Sequence, residues 1–116
     1  MRAARPRRVS AALLAGAVLA RVGGPAEARD HRVQGRAVAV QLCSSCHAIG
    51  HEPQERGLAG PSFVGIANMP ATTGLALNVF LQSYHQRMPS LRLDRDELDA
   101  VIDYILSLKS EAAVRP

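Results

Sequence analysis

The amino-acid sequence predicts an all-α protein in which three main helices form one small domain. Three segments repeat apolar residues at helical spacing, and no segment alternates apolar and polar residues with the period of two that marks a half-buried strand. The chain has 116 residues, which is the length of a single domain. These observations favour a helical domain over any fold that contains a sheet.

Residues 1–28 differ in composition from the rest and have the three parts of a secretory signal peptide. Four arginines precede ten apolar residues at 11–20, and the Ala-Glu-Ala tripeptide at 26–28 fits a cleavage site. We therefore expect export to the periplasm and a mature domain of residues 29–116. The alternative is an uncleaved anchor, but ten apolar residues followed by Arg21 are fewer than the roughly 20 that span a bilayer. No stable membrane span is expected after cleavage.

The basic character of the chain is concentrated in that first segment. Residues 1–28 hold five arginines and one acid, whereas residues 29–116 hold nine basic and nine acidic residues. The net charge of +4 and the pI near 9.8 therefore reflect the predicted signal rather than the domain. The domain has no basic stripe or aromatic platform, which argues against nucleic acid as a partner.

The first helix of the domain is predicted from about His31 to Cys46, with Asp30 as its N-cap. Residues 50–70 follow as a loop rich in glycine and proline. A loop of this length is uncommon in a compact domain, and it is easier to explain if it wraps a cofactor. The face of the helix that repeats at helical spacing comprises Gly35, Val38, Ala39, Leu42, Cys43 and Cys46.

The second helix is predicted over residues 73–85, with Thr72 or Thr73 as its cap and Pro89 just beyond its end. Its broad apolar side comprises Ala76, Leu77, Val79, Phe80, Leu81 and Tyr84.

The third helix is predicted over residues 95–110 and has the clearest pattern. Asp94 followed by Glu97 indicates a capping box at its start, and Lys109 suits the helix dipole at its end. The residues that follow the i, i+3, i+4, i+7 spacing are Leu98, Val101, Ile102, Ile105 and Leu106.

The segment Cys-Ser-Ser-Cys-His at 43–47 is the C-x-x-C-H pattern of c-type haem attachment, and it holds both cysteines of the chain. Two cysteines three residues apart lie on one side of a helical turn, where each can form a thioether with one vinyl group of a haem. The adjacent histidine can then place a ring nitrogen on the iron. The pattern predicts one covalently bound haem c, attached through Cys43 and Cys46 and ligated by His47.

Three other uses of these residues are alternatives to haem attachment. Cys43 and Cys46 could form a structural disulfide in an oxidising compartment. A thioredoxin-like redox pair would need a βαβ context, which the sequence lacks. A zinc site could recruit His47 and His51, but adjacent Cys46 and His47 would then have to bind one ion, unlike the usual spacing of zinc ligands.

These features together resemble the class I c-type cytochromes over nearly all of residues 29–116. Gly35 lies eight residues before Cys43, where the family has a small residue for close helix crossing, and Tyr104 stands where the last helix offers an aromatic to that crossing. Ala39 departs from the pattern, because many members have a larger residue there. The resemblance implies the cytochrome c fold, with N- and C-terminal helices crossing and three main helices wrapped around one haem.

The resemblance also implies roles for residues beyond the attachment segment. Gly60-Pro61 matches the family's Gly-Pro pair, so the Pro61 carbonyl would accept a hydrogen bond from the second ring nitrogen of His47 and fix its orientation. The alternative is an ordinary turn proline.

Two methionines, Met69 and Met88, are candidates for the second axial ligand, and each precedes a proline. Met88 is favoured because its position between His47 and Asp94 in the sequence lets the chain pass round the haem ring to its opposite face. It also matches the position of the methionine ligand in the family. Met69 is then a flexible core residue. His85 or His51 could instead give a bis-histidine site, although a surface position is the simpler interpretation of both.

Methionine and histidine ligation would leave no open coordination position on the iron, which predicts electron transfer rather than catalysis. The expected role is a single-electron carrier, or a cytochrome subunit of a redox enzyme, expected to be a monomer. Its partners would be an electron-donating dehydrogenase or membrane complex and an accepting oxidase or reductase, bound transiently. Arg87, Arg92 and Arg95 could form a docking rim or be scattered surface charges. The alternatives are a small haem peroxidase or ligand-binding sensor with a labile sixth ligand, and a thiol oxidoreductase.

Overall fold

The computed structural model describes residues 24–53 and 55–110. In this part of the chain it contains four α-helices and no strand, so the described domain is all-α. The helices are α1 (Pro25–Leu42), α2 (Phe63–Asn68), α3 (Gly74–Leu81) and α4 (Arg95–Ser107). Most of the predicted signal peptide, residues 1–23, lies outside the described residues.

Helix α1 begins six residues before its predicted start. Pro25 occupies the first helical position, which suits its fixed φ, and the Gly24 N–H donates to the Glu27 carboxylate at 3.1 Å. Asp30 as N-cap is therefore wrong, because it lies inside the helix. The predicted cleavage site at residues 26–28 falls within the first turns of α1.

Helix α1 ends at Leu42 rather than at Cys46. The carbonyl of Ala39 accepts from the N–H groups of both Cys43 and Ser44, at 2.9 and 3.0 Å, and this shared acceptor ends the regular ladder. The prediction that Cys46 continues the face of the helix is therefore wrong. Cys43 is the C-cap of α1, and Cys46 lies in the turn that follows.

Helices α1 and α4 pack directly against each other around Gly35. A Cβ at this position would overlap the backbone carbonyl of Ala100 and lie 2.8 Å from the Tyr104 Cβ. Tyr104 is buried, and its hydroxyl donates to the Ile49 carbonyl at 2.7 Å. The expected contact between the first and last helices is present, and it holds the segment after α1 against α4.

Helix α2 was not predicted and lies in the segment expected to be a loop. The Ser62 hydroxyl accepts from the Gly65 N–H at 3.0 Å and caps its start. Phe63 and Ala67 are buried. Because the helix has only six residues, its apolar positions cannot establish a periodic pattern, so tertiary packing decides that it forms.

Helix α3 is shorter than predicted and mostly exposed. Thr73 caps the helix, because its hydroxyl accepts from the Ala76 N–H at 3.1 Å. Of the two predicted caps, Thr72 and Thr73, the structure therefore has the second. The helix ends at Leu81 rather than at His85, so Tyr84 lies outside it. The broad apolar side is not a buried face, because only Leu77 is buried within the helix.

Helix α4 supplies more of the core than any other helix. The capping box is present as predicted: Asp94 accepts from the Glu97 N–H at 2.9 Å, and Glu97 accepts from the Asp94 N–H at 3.0 Å. The helix ends at Ser107, so Lys109 lies beyond its last turn, with its amine 3.5 Å from the Thr72 carbonyl. The core cluster comprises Val38, Ala39, Cys43, Phe63, Ala67, Leu77, Leu98, Val101, Ile102, Tyr104, Ile105 and Leu108.

None of the helices that the structure describes is both long and apolar enough to cross a lipid bilayer.

Candidate functional site

The two cysteines occupy the turn that leaves α1. The carbonyl of Cys43 accepts from the N–H groups of Cys46 and His47, at 3.1 and 2.9 Å, which holds these three residues in one turn. Cys43 is buried and Cys46 is half-buried, and both are free thiols. The structure thus brings the predicted attachment residues together through local backbone bonds alone.

The ring of His47 is held in one orientation by residues from the following loop. Its Nδ1 lies 2.6 Å from the Pro61 carbonyl oxygen. Because a carbonyl only accepts, Nδ1 carries the proton, and the lone pair is left on Nε2. The hydrogen bond expected between His47 and Pro61 is present, and it leaves Nε2 chemically able to bind a metal.

Gly60 lets this loop approach the ring closely. Its N–H donates to the Cys46 carbonyl at 2.8 Å, and a Cβ at Gly60 would lie 2.6 Å from His47 Nδ1 and 2.7 Å from Nε2. Phe63 contributes from α2, with its ring 5.5 Å from that of His47 at an angle of 49°. The imidazole therefore has little room to rotate.

Both thiols and His47 line a cavity of about 550 Å³. This volume is typical of a small-molecule or cofactor site. All four helices or their ends contribute to its wall, which is mainly apolar. Its apolar side chains include Leu42, Phe63, Ile66, Leu77, Phe80, Leu81, Leu91, Leu93, Val101 and Ile105. Leu98 belongs to the buried core but does not line the cavity.

Both candidate methionines line the same cavity. Met88 lies in the turn after α3 and is half-buried. Met69 is the C-cap of α2, and its side chain is 51% exposed. Because Met69 is more exposed, its side chain is less constrained by neighbouring residues than that of Met88. Both thioethers nevertheless border the cavity.

Of the two rival histidines, only His85 lines the cavity. Its ring stacks on Phe80 with 3.6 Å between centroids and 16° between planes. His51 is exposed and takes no part in the lining. Among the three arginines of the suggested docking rim, Arg87 borders the cavity, whereas Arg92 and Arg95 are exposed residues away from the lining.

The described residues offer no support for the zinc alternative, because no group of three or more His, Cys, Asp or Glu side chains in them is placed to hold a metal ion. Burial raises the pKa of the Cys43 thiol, and the neighbouring Cys46 raises it further. A reactive cysteine of a thiol oxidoreductase needs a lowered pKa. The environment of Cys43 therefore works against that chemistry.

Sequence reasoning missed three residues of the cavity wall, one in α2 and two in the segment before α4. Ile66, Leu91 and Leu93 all line the cavity. Ser62, which caps α2, was the feature of the sequence that could have revealed this helix and with it Ile66. No family model, curated protein or solved structure matches the chain, so functional inference depends on this geometry and on the attachment pattern.

Proposed function

We propose that this chain is an exported class I c-type cytochrome that binds one haem c and carries single electrons between redox partners. The observation that carries the proposal is one mainly apolar cavity lined by Cys43, Cys46, His47 and Met88. These are a thioether-forming pair, an imidazole and a thioether, which together are the donor set of a histidine–methionine cytochrome. The proposal includes the cytochrome c fold, for which the packing of α1 against α4 is supporting evidence.

The residues present fit the proposed cofactor. Cys43 and Cys46 face the same cavity and are unpaired, so both thiols are available for covalent attachment. His47 would be the first axial ligand through Nε2, because the Pro61 hydrogen bond occupies Nδ1. Haem supplies a one-electron iron couple, and the surrounding side chains set how readily it is reduced.

The protein's own contribution is to hold the two ligands and limit water. The hydrogen bond from His47 to the Pro61 carbonyl would raise the basicity of the ligating nitrogen. Met88 would be the second protein ligand of the iron and so exclude substrate or oxygen from it. Apolar residues such as Phe63, Val101 and Ile105 line the cavity and would limit the access of water. His47 and Met88 would stay in place in both oxidation states, so the chain would need little rearrangement for the one-electron chemistry that haem supplies.

We place the protein in the periplasm, with residues 1–28 as the signal peptide. Its partners would be a dehydrogenase or membrane complex that donates the electron and an oxidase or reductase that accepts it. Such contacts are usually small and transient. Arg87 is the best placed of the three arginines to meet an acidic partner surface, since it borders the cavity.

The test is an absorption spectrum of the exported, matured protein in both oxidation states. A haem that remains attached in acidified organic solvent would support covalent binding, and Cys43→Ala combined with Cys46→Ala should abolish it. A matured protein that never acquires haem would overturn the proposal.

Replacement of the two methionines then assigns the sixth ligand. Met88→Ala should remove the methionine–iron charge-transfer band of the oxidised protein and allow carbon monoxide to bind the reduced form. Met69→Ala is the matched control and should leave both properties unchanged. Rapid binding of carbon monoxide by the unaltered protein would instead favour a peroxidase or sensor with a labile sixth ligand.

A further inference from the structure

We propose that His85 is a positioning residue that holds Met88 on the cavity wall and so selects it over Met69 as the sixth ligand. This inference rests on the proposed function, because it concerns the same site. It gives a role to a histidine that was otherwise only a rival ligand or a surface residue.

The first observation is that the His85 side chain closes the end of α3. Its Nε2 lies 2.8 Å from the Phe80 carbonyl oxygen. This oxygen lies in the last turn of α3 and also accepts from the Ser83 N–H at 3.0 Å, so the imidazole is a second, side-chain donor to it. Because the carbonyl only accepts, Nε2 donates, and the imidazole acts as a cap of the helix C-terminus.

The second observation is that the same imidazole stacks on the Phe80 ring, at 3.6 Å and 16°. One residue of α3 thus holds the His85 side chain twice, through its backbone oxygen and through its ring. Both rings line the cavity. The position of His85 is therefore tied to the end of a helix rather than to a free loop.

The third observation links His85 to Met88. The Met88 N–H donates to the His85 carbonyl at 3.3 Å, and the two residues form an isolated antiparallel bridge. The turn between them is closed at one end by His85 and presents Met88 to the cavity at the other. Because His85 is held on α3, the backbone of Met88, from which its side chain extends, is held as well.

Met69 is held by its own backbone rather than through the side chain of a neighbouring residue, and its carbonyl accepts from the Thr72 N–H at 3.0 Å. It is the C-cap of α2, its side chain is half exposed, and its backbone N–H donates to the Ile66 carbonyl at 3.2 Å. Of the two thioethers that line the cavity, only Met88 follows a residue whose side chain is held by both a hydrogen bond and a ring stack. A ligand held in advance loses less conformational freedom on binding.

The experiment uses the matured haem protein and compares His85→Ala, His85→Gln and His85→Phe with His51→Ala. The glutamine variant keeps a side-chain N–H donor, and the phenylalanine variant keeps a ring for stacking. His51 is the matched control, because it is an exposed histidine away from the cavity. The readouts are the methionine–iron charge-transfer band, the reduction potential and the rate of carbon monoxide binding.

We expect His85→Ala to weaken the charge-transfer band, lower the reduction potential and raise the fraction open to carbon monoxide by roughly ten- to a hundredfold, from the loss of one hydrogen bond and one ring contact. His85→Gln and His85→Phe should each restore part of the difference, and His51→Ala should match the parent. If His85→Ala does not fold, the glutamine and phenylalanine variants are compared with the parent by the same measurements.

Two results would overturn the inference while leaving the proposed function standing. The first is that the His85 variants have the same charge-transfer band, reduction potential and rate of carbon monoxide binding as the parent. The other is a parent without the charge-transfer band whose sixth ligand is lost on replacement of His85, which would make His85 the ligand itself. Failure of the parent to bind haem is a separate outcome and would overturn both proposals.

Discussion

At the scale of single residues, the candidate site depends on how closely a loop approaches one imidazole. His47 is adjacent to Cys46 in sequence, but its ring orientation is decided by Gly60 and Pro61, thirteen and fourteen residues later. The Pro61 carbonyl accepts a hydrogen bond from the Nδ1–H group, with 2.6 Å between nitrogen and oxygen. Only a residue without a Cβ fits at Gly60, since a Cβ would lie 2.6 Å from that nitrogen.

We predict that Gly60→Ala displaces the His47 ring and breaks its bond to Pro61. Loss of such an outer hydrogen bond typically costs a metal site roughly ten- to a hundredfold in affinity or activity. The haem protein should therefore show a larger share of molecules without histidine ligation, measured by its absorption spectrum across a denaturant series.

Gly74→Ala is the control for this change. A Cβ there would make ordinary contacts, 3.7 Å from Leu106 and 3.8 Å from Ile102. Its spectrum should equal that of the parent. A Gly60→Ala protein with unchanged ligation would contradict the account of the close approach.

At the scale of elements, the packing of α1 against α4 organises the described domain. Gly35 permits the approach, Tyr104 packs beside it, and the Tyr104 hydroxyl reaches the Ile49 carbonyl 55 residues away in sequence. The segment after α1, which carries Cys46 and His47, is thereby joined to α4. The turn that contains Cys43, Cys46 and His47 is closed by the local hydrogen bonds of the Cys43 carbonyl, but this interface places it in the domain.

Gly35→Ala should destabilise the folded protein by about 1–3 kcal/mol, the usual cost of overpacking a tight contact. The added methyl would overlap the Ala100 carbonyl, so the two helices must separate. The measurement is the denaturant midpoint at constant slope. The Gly74→Ala control should leave the midpoint equal or slightly higher, and an equally stable Gly35→Ala protein would show that the interface can relax.

A second contact between α1 and α4 predicts a dependence of stability on pH. The hydrogen bond from His31 to Asp103, at 2.8 Å, raises the pKa of His31 above its ordinary value of 6.5, and the charges of Asp103, Asp99 and Asp96 add to this. Because the pKa of His31 is raised in the folded state, its protonated form stabilises the folded protein. This contribution is complete below pH 6.5 and is lost as the pH rises through the raised pKa.

Because both side chains are substantially exposed, the effect should be less than about 1 kcal/mol. Unfolding free energies measured from about pH 6 to about pH 8 should show this decline in the parent. It should be absent from His31→Gln and from Asp103→Asn. An identical pH profile in all three proteins would contradict the assignment to this pair.

At the scale of the whole molecule, the four described helices share one cavity whose wall overlaps the packed core. The space of about 550 Å³ is bordered by core residues such as Phe63, Leu77 and Val101. In a domain this small the packed core is limited. A bound apolar cofactor would contribute stability that the side chains alone do not supply, since a ligand of the folded state raises its stability.

Protein that lacks the proposed haem, made as Cys43→Ala with Cys46→Ala, should therefore unfold at a lower temperature than the matured protein. The measurement is helical circular dichroism during heating. Met88→Ala is the control that retains covalent attachment, and it should lose only part of this stability. Equal melting temperatures with and without haem would mean that the cavity contributes nothing to folding.

Sequence alone determined those features that depend on neighbouring residues. Asp94 caps α4 as expected, and Thr73, one of the two residues expected to cap α3, does so, because a cap bonds to an N–H only two or three positions away. The apolar pattern of α4 also predicted the helix, because its buried residues form one continuous face. The turn of Cys43, Cys46 and His47 was predicted only in part: the Cys43 carbonyl closes it through local hydrogen bonds, but the sequence predicted that the helix would continue through Cys46.

Tertiary structure decided what depends on residues distant in the chain. It determined that α2 forms, that the apolar residues of α3 stay largely exposed, and that both Met69 and Met88 reach the cavity. The ring of His47 is set by Pro61, and the position of α1 by its contact with Ala100. Helical periodicity reports which face of a segment is apolar, but only packing determines which segments meet and which apolar residues remain at the surface.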